Sequence, residues 1–293
     1  MMYSSADDWH KASHKRVLIF GMSGLGKTRL STILRDTGTW FHYSIDYRIG
    51  TRYMGEHIVD NALIEAMKVP FLRELLMKGS ISIKPNLSFK NLMPVSTYIG
   101  KPGSREQGGL PIQEYQRRQE HFRRAEVQAL YDTPHFIQRS ELIYGYKNFI
   151  CDTGGSICEW VNPKNPDDPI LCELKKHLLM IWLKSDQSHL SELIARFDKS
   201  PKPMAYRPEF LEKVWKEYLD TNNCSEDTVN PDDFIRWTYS RALAYRQPQY
   251  EAMAKWGVAV DAKLLRDAQQ EDVFLNAVGD ALTLSEQARS CSS

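Results

Sequence analysis

The chain has almost no net charge: 38 lysines and arginines stand against 37 aspartates and glutamates, a difference of +1 over 293 residues. That balance gives no overall pull toward nucleic acid or an anionic membrane, so neither is expected as a partner. Cysteine is scarce. The five residues Cys151, Cys158, Cys172, Cys224 and Cys291 are odd in number and show no CxxC spacing. This argues against a disulfide framework and a zinc site, and fits reduced thiols in a cytoplasmic protein. Long hydrophobic runs are missing too. No stretch reaches the roughly eighteen apolar residues of a membrane-spanning helix. The first fifteen residues, "MMYSSADDWHKASHK", lack the apolar centre of a secretory signal and read as a polar lead. No internal repeat interrupts the rest. The length suits one large domain, or one domain with a sizeable insertion.

What is present is an alternation of strands and helices. "RVLIF" (16–20) is a short apolar run ending at Gly21 and predicts a buried parallel strand. "KTRLSTILRD" follows at helical spacing. Further strands are expected at 40–46, 147–152, 178–183 and 257–261, with helical segments between them and a last helix over about 270–283. A polar tail, 285–293, is expected to fray. The pattern predicts an α/β fold with a five-stranded, mainly parallel sheet and helices on both faces. Residues 79–111 are rich in Gly, Pro, Ser and Asn and read as a long loop or irregular subdomain. Residues 112–130 form a strongly basic helix.

The loop Gly21-Met22-Ser23-Gly24-Leu25-Gly26-Lys27-Thr28 matches G-x-x-x-x-G-K-[ST] throughout. Glycines let backbone N–H groups wrap an anion, and the following helix turns its positive end to it. Lys27 would reach the β- and γ-phosphates and the Thr28 hydroxyl would hold Mg²⁺. A strand before the loop and a helix after it are the setting this motif requires. ATP and Mg²⁺ are the expected ligands, with Gly21, Ser23, Gly24, Leu25, Gly26, Lys27 and Thr28 as nucleotide contacts.

Other residues resemble the shikimate kinase and gluconate kinase group of small phosphate-loop kinases. The resemblance covers most of 16–50 and 115–265 and fails between about 55 and 112. It implies that Asp46, in "YSID", contacts the acceptor hydroxyl. Ser44 stands where the family often has a second aspartate. "EHFRRAE" resembles a Phe-Arg-x-x-Glu helix, and implies that Arg123 holds a substrate acid while Arg117, Arg118 and Arg124 form a solvated basic face. "FICDTGGS" resembles a glycine-rich turn that approaches substrate with Gly154 and Gly155, and puts Asp152 at a strand end where a carboxylate meets magnesium. "SELIARFDKSPKPMAYRPEF" resembles a lid over residues 197–208, implying that Arg196 lies along the nucleotide and that Arg207 neutralises the transferring phosphoryl group. "YRQPQYEAMAKWGVAVDA" places Arg246 as a second arginine for the substrate acid, with Tyr250 and Trp256 as core.

These matches point to one phosphate-loop kinase domain over 16–284, with 55–112 as an insertion and substrate region. The expected reaction is phosphoryl transfer from ATP to a small hydroxylated, anionic metabolite, with Lys27, Asp46 and Arg207 as catalytic groups. The alternative is an ATPase or a nucleotide-gated interaction protein that meets a protein partner through 79–111. A kinase acting on nucleic-acid ends has only the basic helix in its favour.

Overall fold

The computed structural model describes residues 2–266 and 270–290, with Gln187, Ser188, His189 and Arg289 described by their backbone alone. Cys291 lies outside the described residues. Along the chain run α1 (Ala6–Lys11), β1 (Arg16–Phe20), α2 (Lys27–Asp36), β2 (Trp40–Ser44) and α3 (Ile45–Arg48), the last continued by a π-helical turn, Ile49–Tyr53. Then come α4 (Gly55–Ala66), α5 (Pro70–Met77), α6 (Met93–Ile99), α7 (Ile112–Tyr131), α8 (Thr133–Leu142), β3 (Asn148–Asp152), α9 (Ile157–Trp160) and α10 (Pro169–His177). The remainder is β4 (Leu179–Lys184), α11 (Gln187–Lys199), α12 (Pro208–Asn222), α13 (Pro231–Ala254), β5 (Val258–Asp261), α14 (Ala262–Arg266) and α15 (Glu271–Ser290).

The chain divides into two compact units. One comprises the residues up to Ile45, Leu130–Ser200 and those from Thr238 on; the other comprises Asp46–Ala129 and Pro201–Trp237. The first unit holds the sheet. Its five strands are all parallel, in the order β2-β3-β1-β4-β5. Val17, Leu18, Ile19 and Phe20 of the central strand are fully buried. Parallel strands covered on both faces read as continuous apolar runs, which is why "RVLIF" and "LLMIWL" stand out in the sequence. With the glycine-rich loop joining β1 to α2, this order is a phosphate-loop kinase-like fold, as the sequence predicts.

Three segments differ from expectation. The polar lead contains α1, because Ser5 caps it through its hydroxyl, which accepts from the Asp8 N–H at 3.0 Å. Trp9 anchors that helix: it is fully buried, edge-on to Tyr3 and Phe274, and its indole N–H donates to the Leu275 carbonyl at 2.9 Å. α15 runs through Ser290, past the predicted end of the last helix. Residues 79–111 are not uniform loop, since α6 lies within them and buries Val95, Tyr98 and Ile99. In addition, α8 is a helix just before β3 that the sequence pattern does not announce. Among the described residues no helix is long and apolar enough to cross a membrane.

The second unit is helical. Tyr115 is fully buried and its hydroxyl donates to the Met204 carbonyl at 2.9 Å. Gln119 donates to the same carbonyl at 3.0 Å and accepts from the Tyr206 N–H at 2.9 Å. α12 packs through Trp215 and Tyr218, both edge-on to Phe234 of α13.

Candidate phosphate-binding site

The central strand delivers the glycine-rich loop to the carboxyl end of the sheet. Gly26 is the N-cap of α2 and has φ +87°, a left-handed conformation that a side chain at Cα would strain. Ser23, Gly24, Gly26 and Thr28 are exposed, so the loop offers its backbone to solvent. Lys27 is buried; its ammonium donates to the Gly21 carbonyl at 2.7 Å and the Met22 carbonyl at 2.8 Å. The cation is thus folded over the loop.

Thr28 and Asp152 come together. The Thr28 hydroxyl donates to Asp152 Oδ2 at 2.8 Å, and His42 Nε2 lies 3.0 Å from Asp152 Oδ1. Asp152 is buried at the end of β3, in register with Ser44 of β2. Two hard oxygen groups side by side suit magnesium. It characteristically takes one or two protein oxygens together with phosphate and water. Among the described residues no group of three or more His, Cys, Asp and Glu forms a protein-only metal cage. His42 escapes a reading of the sequence. Its only local signal is a polar residue inside the otherwise apolar strand "WFHYS".

Beside the loop lies a cleft of about 130 Å³, lined by Leu25, Arg29, Leu183, Arg196, Leu265 and Arg266 among others. Arg196 reaches toward the Gly24 carbonyl, 3.5 Å from its Nη2. Arg29 donates to the Arg266 carbonyl, and Arg266 pairs with Glu192 at 3.1 Å. Apolar walls with guanidinium planes fit a flat heteroaromatic ring. Arg29 and Arg266 are further cleft residues that no motif marks.

The Gly154–Gly155 turn faces the phosphate loop. A Cβ on Gly155 would lie 2.9 Å from the Ser23 backbone nitrogen. The Gly155 carbonyl accepts from Arg246 Nη1 at 3.1 Å and from the Tyr250 hydroxyl. Arg246, expected at the substrate acid, is bonded within the protein here. It is 4% exposed and its Nε donates to Glu159 Oε1 at 2.7 Å, with the Glu159 side chain fully buried. Burial opposes the charge on Arg246, but the Glu159 carboxylate more than offsets it, and the guanidinium holds its proton more tightly than a free arginine. A guanidinium bonded to an internal carboxylate and a turn carbonyl buttresses the turn. Tyr250 is fully buried, as expected for core. Gly155→Ala pushes a methyl group into Ser23. Overpacking of this kind costs about 1–3 kcal/mol. The expected result is weaker nucleotide binding, by about tenfold, in a titration with a fluorescent ATP analogue, with the helical signal unchanged.

The remaining expected residues belong to the second unit. Asp46 is half-buried in α3, two residues after Ser44. Arg207 is the N-cap residue of α12 and half-buried. Arg123 donates through Nε and Nη2 to the two oxygens of Glu120, at 2.6 and 2.7 Å, and Arg124 adds a bond at 2.7 Å. The Arg123 hydrogen bond is the main reason the Glu120 carboxyl falls to about 2. Arg117 pairs with Glu114 in the same way. Arg117 and Arg124 are exposed, as in the one-turn ion pairs of a solvated helix face, whereas Arg123 is half-buried. Arg118 departs from that expectation, being 8% exposed and turned inward.

No protein-family model and no curated protein matches the chain. Among solved structures it is similar to a shikimate kinase from Bacteroides thetaiotaomicron, at 15% identity and a TM-score of 0.37, over 94% of this chain and 98% of that one. At that distance the likeness carries no argument about substrate, and the fold stands on the strand order and the loop described above.

Proposed function

We propose that the chain is an ATP- and Mg²⁺-dependent kinase acting on a hydroxyl group of a small, anionic metabolite. The observation that carries this is the phosphate loop at the end of the central strand, with the Thr28 hydroxyl hydrogen-bonded to the buried Asp152 carboxylate. The loop N–H groups and Lys27 would hold the phosphates, and Arg196 would lie along the base. Thr28 and Asp152 would hold magnesium, whose chemistry is to neutralise phosphate charge. Phosphoryl transfer asks little covalent work of a protein and depends on positioning and charge stabilisation. Asp46 is assigned to orient or deprotonate the acceptor hydroxyl, because it follows directly on the strand whose last residue pairs with Asp152. Arg123 is assigned to the acceptor's acidic group and Arg207 to the transferring phosphoryl group. Both assignments rest on guanidinium chemistry and on the sequence resemblance.

Incubation with ATP, Mg²⁺ and a panel of sugar acids, hydroxy acids and polyols tests this. The expected result is ADP release that rises with one acceptor, together with a phosphorylated product by mass spectrometry. ADP release that never depends on an acceptor would sink the kinase assignment and leave nucleotide hydrolysis, with or without a protein partner that it gates, as the activity.

A further inference from the structure

The second unit contains a groove of its own. It lies among α4, α6 and the segment between α5 and α6, within the part of the sequence that the kinase resemblance does not cover. Its volume is about 350 Å³, within the range of small-molecule sites. Ile58, Val59, Ala62 and Pro94 supply apolar wall, and Asn61, Lys84 and Thr97 supply polar groups.

The polar groups are one-sided in character. Arg118 has only donors, and its Nη2 lies 2.7 Å from Asn61 Oδ1. The Asn61 carbonyl is thus engaged by Arg118, and its amide N–H₂ adds a donor at the groove. Asn91 also lines the groove, but its side chain is used within its own loop: Nδ2 donates to the Asn86 carbonyl at 2.7 Å and Oδ1 accepts from the Met93 N–H at 3.2 Å. Lys84 also lines the groove; it is exposed to solvent and brings a cation. No carboxylate appears among the described lining residues. A ligand thus meets apolar wall, an amide donor, a hydroxyl and one positive charge.

The wall behind these groups is fixed in advance. Arg118 Nη1 donates to the Tyr98 carbonyl at 2.5 Å, its Nε donates to Glu114 Oε1 at 2.7 Å, and its guanidinium lies 4.9 Å from the Tyr98 ring centre. The Tyr98 hydroxyl meets His121 Nδ1 at 2.8 Å, and His121 stacks on His57 with ring centres 4.2 Å apart. Burial, then the neighbouring His57, lowers the pKa of His121. That shift favours the uncharged ring beside the tyrosine hydroxyl. A wall held this way loses little freedom when a ligand binds.

From this donor-rich, apolar, pre-ordered groove we infer a binding site for a small amphipathic anion: a compact apolar body bearing one carboxylate or similar acidic group. The inference does not rest on the kinase assignment, since every residue it uses lies in the second unit and none belongs to the phosphate loop or its cleft.

trans-Cinnamate and its uncharged counterpart, cinnamyl alcohol, are suitable probes, titrated calorimetrically into the full chain without nucleotide. Cinnamate is expected to bind one to one. Lys84→Glu should weaken it by about tenfold, the effect of one charge-assisted contact, while changing the alcohol by less than about twofold. Ala62→Trp should fill the groove and remove both, with binding of the ATP analogue unchanged. Magnetisation transfer from the cinnamate ring to the Ile58 and Ile83 methyl groups locates the ligand without any substitution, should the tryptophan variant fold poorly. Absence of cinnamate binding, equal sensitivity of both probes to Lys84→Glu, or contacts at other methyl groups would overturn the site.

Discussion

Lys27→Ala is expected to lower ATP turnover by about 10²–10³-fold, the scale on which removal of one preorganised electrostatic group acts. The reason is placement. The Lys27 ammonium is buried over the loop, on the Gly21 and Met22 carbonyls, where its charge is worth more than in water. Alanine removes the charge and leaves the loop backbone in place. Nucleotide affinity should therefore fall less than turnover, and steady-state kinetics beside equilibrium titration separates the two. Lys27→Arg should not rescue, because a flat five-donor fork cannot replace a compact ammonium in that space. Turnover within tenfold of the parent would show that the loop does not serve catalysis.

Glu159→Ala should cost about 3–5 kcal/mol of folding stability, the range for removing one partner of a buried ion pair. It leaves the Arg246 guanidinium, 4% exposed, without its carboxylate. Pairing it with Arg246→Met should recover part of the loss, because the double variant carries no stranded charge but leaves space unfilled. Urea denaturation of the parent, the two single variants and the double variant checks this. A loss below about 1 kcal/mol in the Glu159 variant would mean that the pair is not what holds the turn. Nucleotide affinity is a second readout, since the same guanidinium bonds the Gly155 carbonyl beside Ser23.

What the sequence reveals here follows from how far apart the interacting residues are. The phosphate loop is legible because all of its determinants fall within eight consecutive residues and strand and helix flank it. β1 and β4 are legible because burial on both faces leaves unbroken apolar runs. The Arg246–Glu159 pair is not legible because its partners lie 87 positions apart, and no local pattern marks an arginine that bonds a distant carboxylate. Arg117 and Arg118 are neighbours in a basic run, yet the rotation of about 100° per helical residue sends one to solvent and the other against Tyr98. α6 is hidden by the Pro and Gly that make its segment read as loop. Pro94 lies in the first turn and Gly100 just past the end, where they delimit a helix. Asp46, Arg123 and Arg207 keep their assigned roles as proposals that single substitutions can separate.

The strand order also bears on how the chain folds as it is made. β1 lies between β3 and β4, and β2 bonds to β3. The partner of Arg16 is Phe149, and the partner of Trp40 is Asn148. During synthesis the first two strands, β1 being among the most apolar stretches of the protein, leave the ribosome with no sheet partner available. They must wait until the second half of the chain emerges. Closing such distant pairings is slow, and exposed strand edges invite wrong partners in the meantime. Residues 46–129 of the helical unit are made during that wait and residues 201–237 only after β4, so the phosphate loop, which precedes them all, is among the last features to take its final shape.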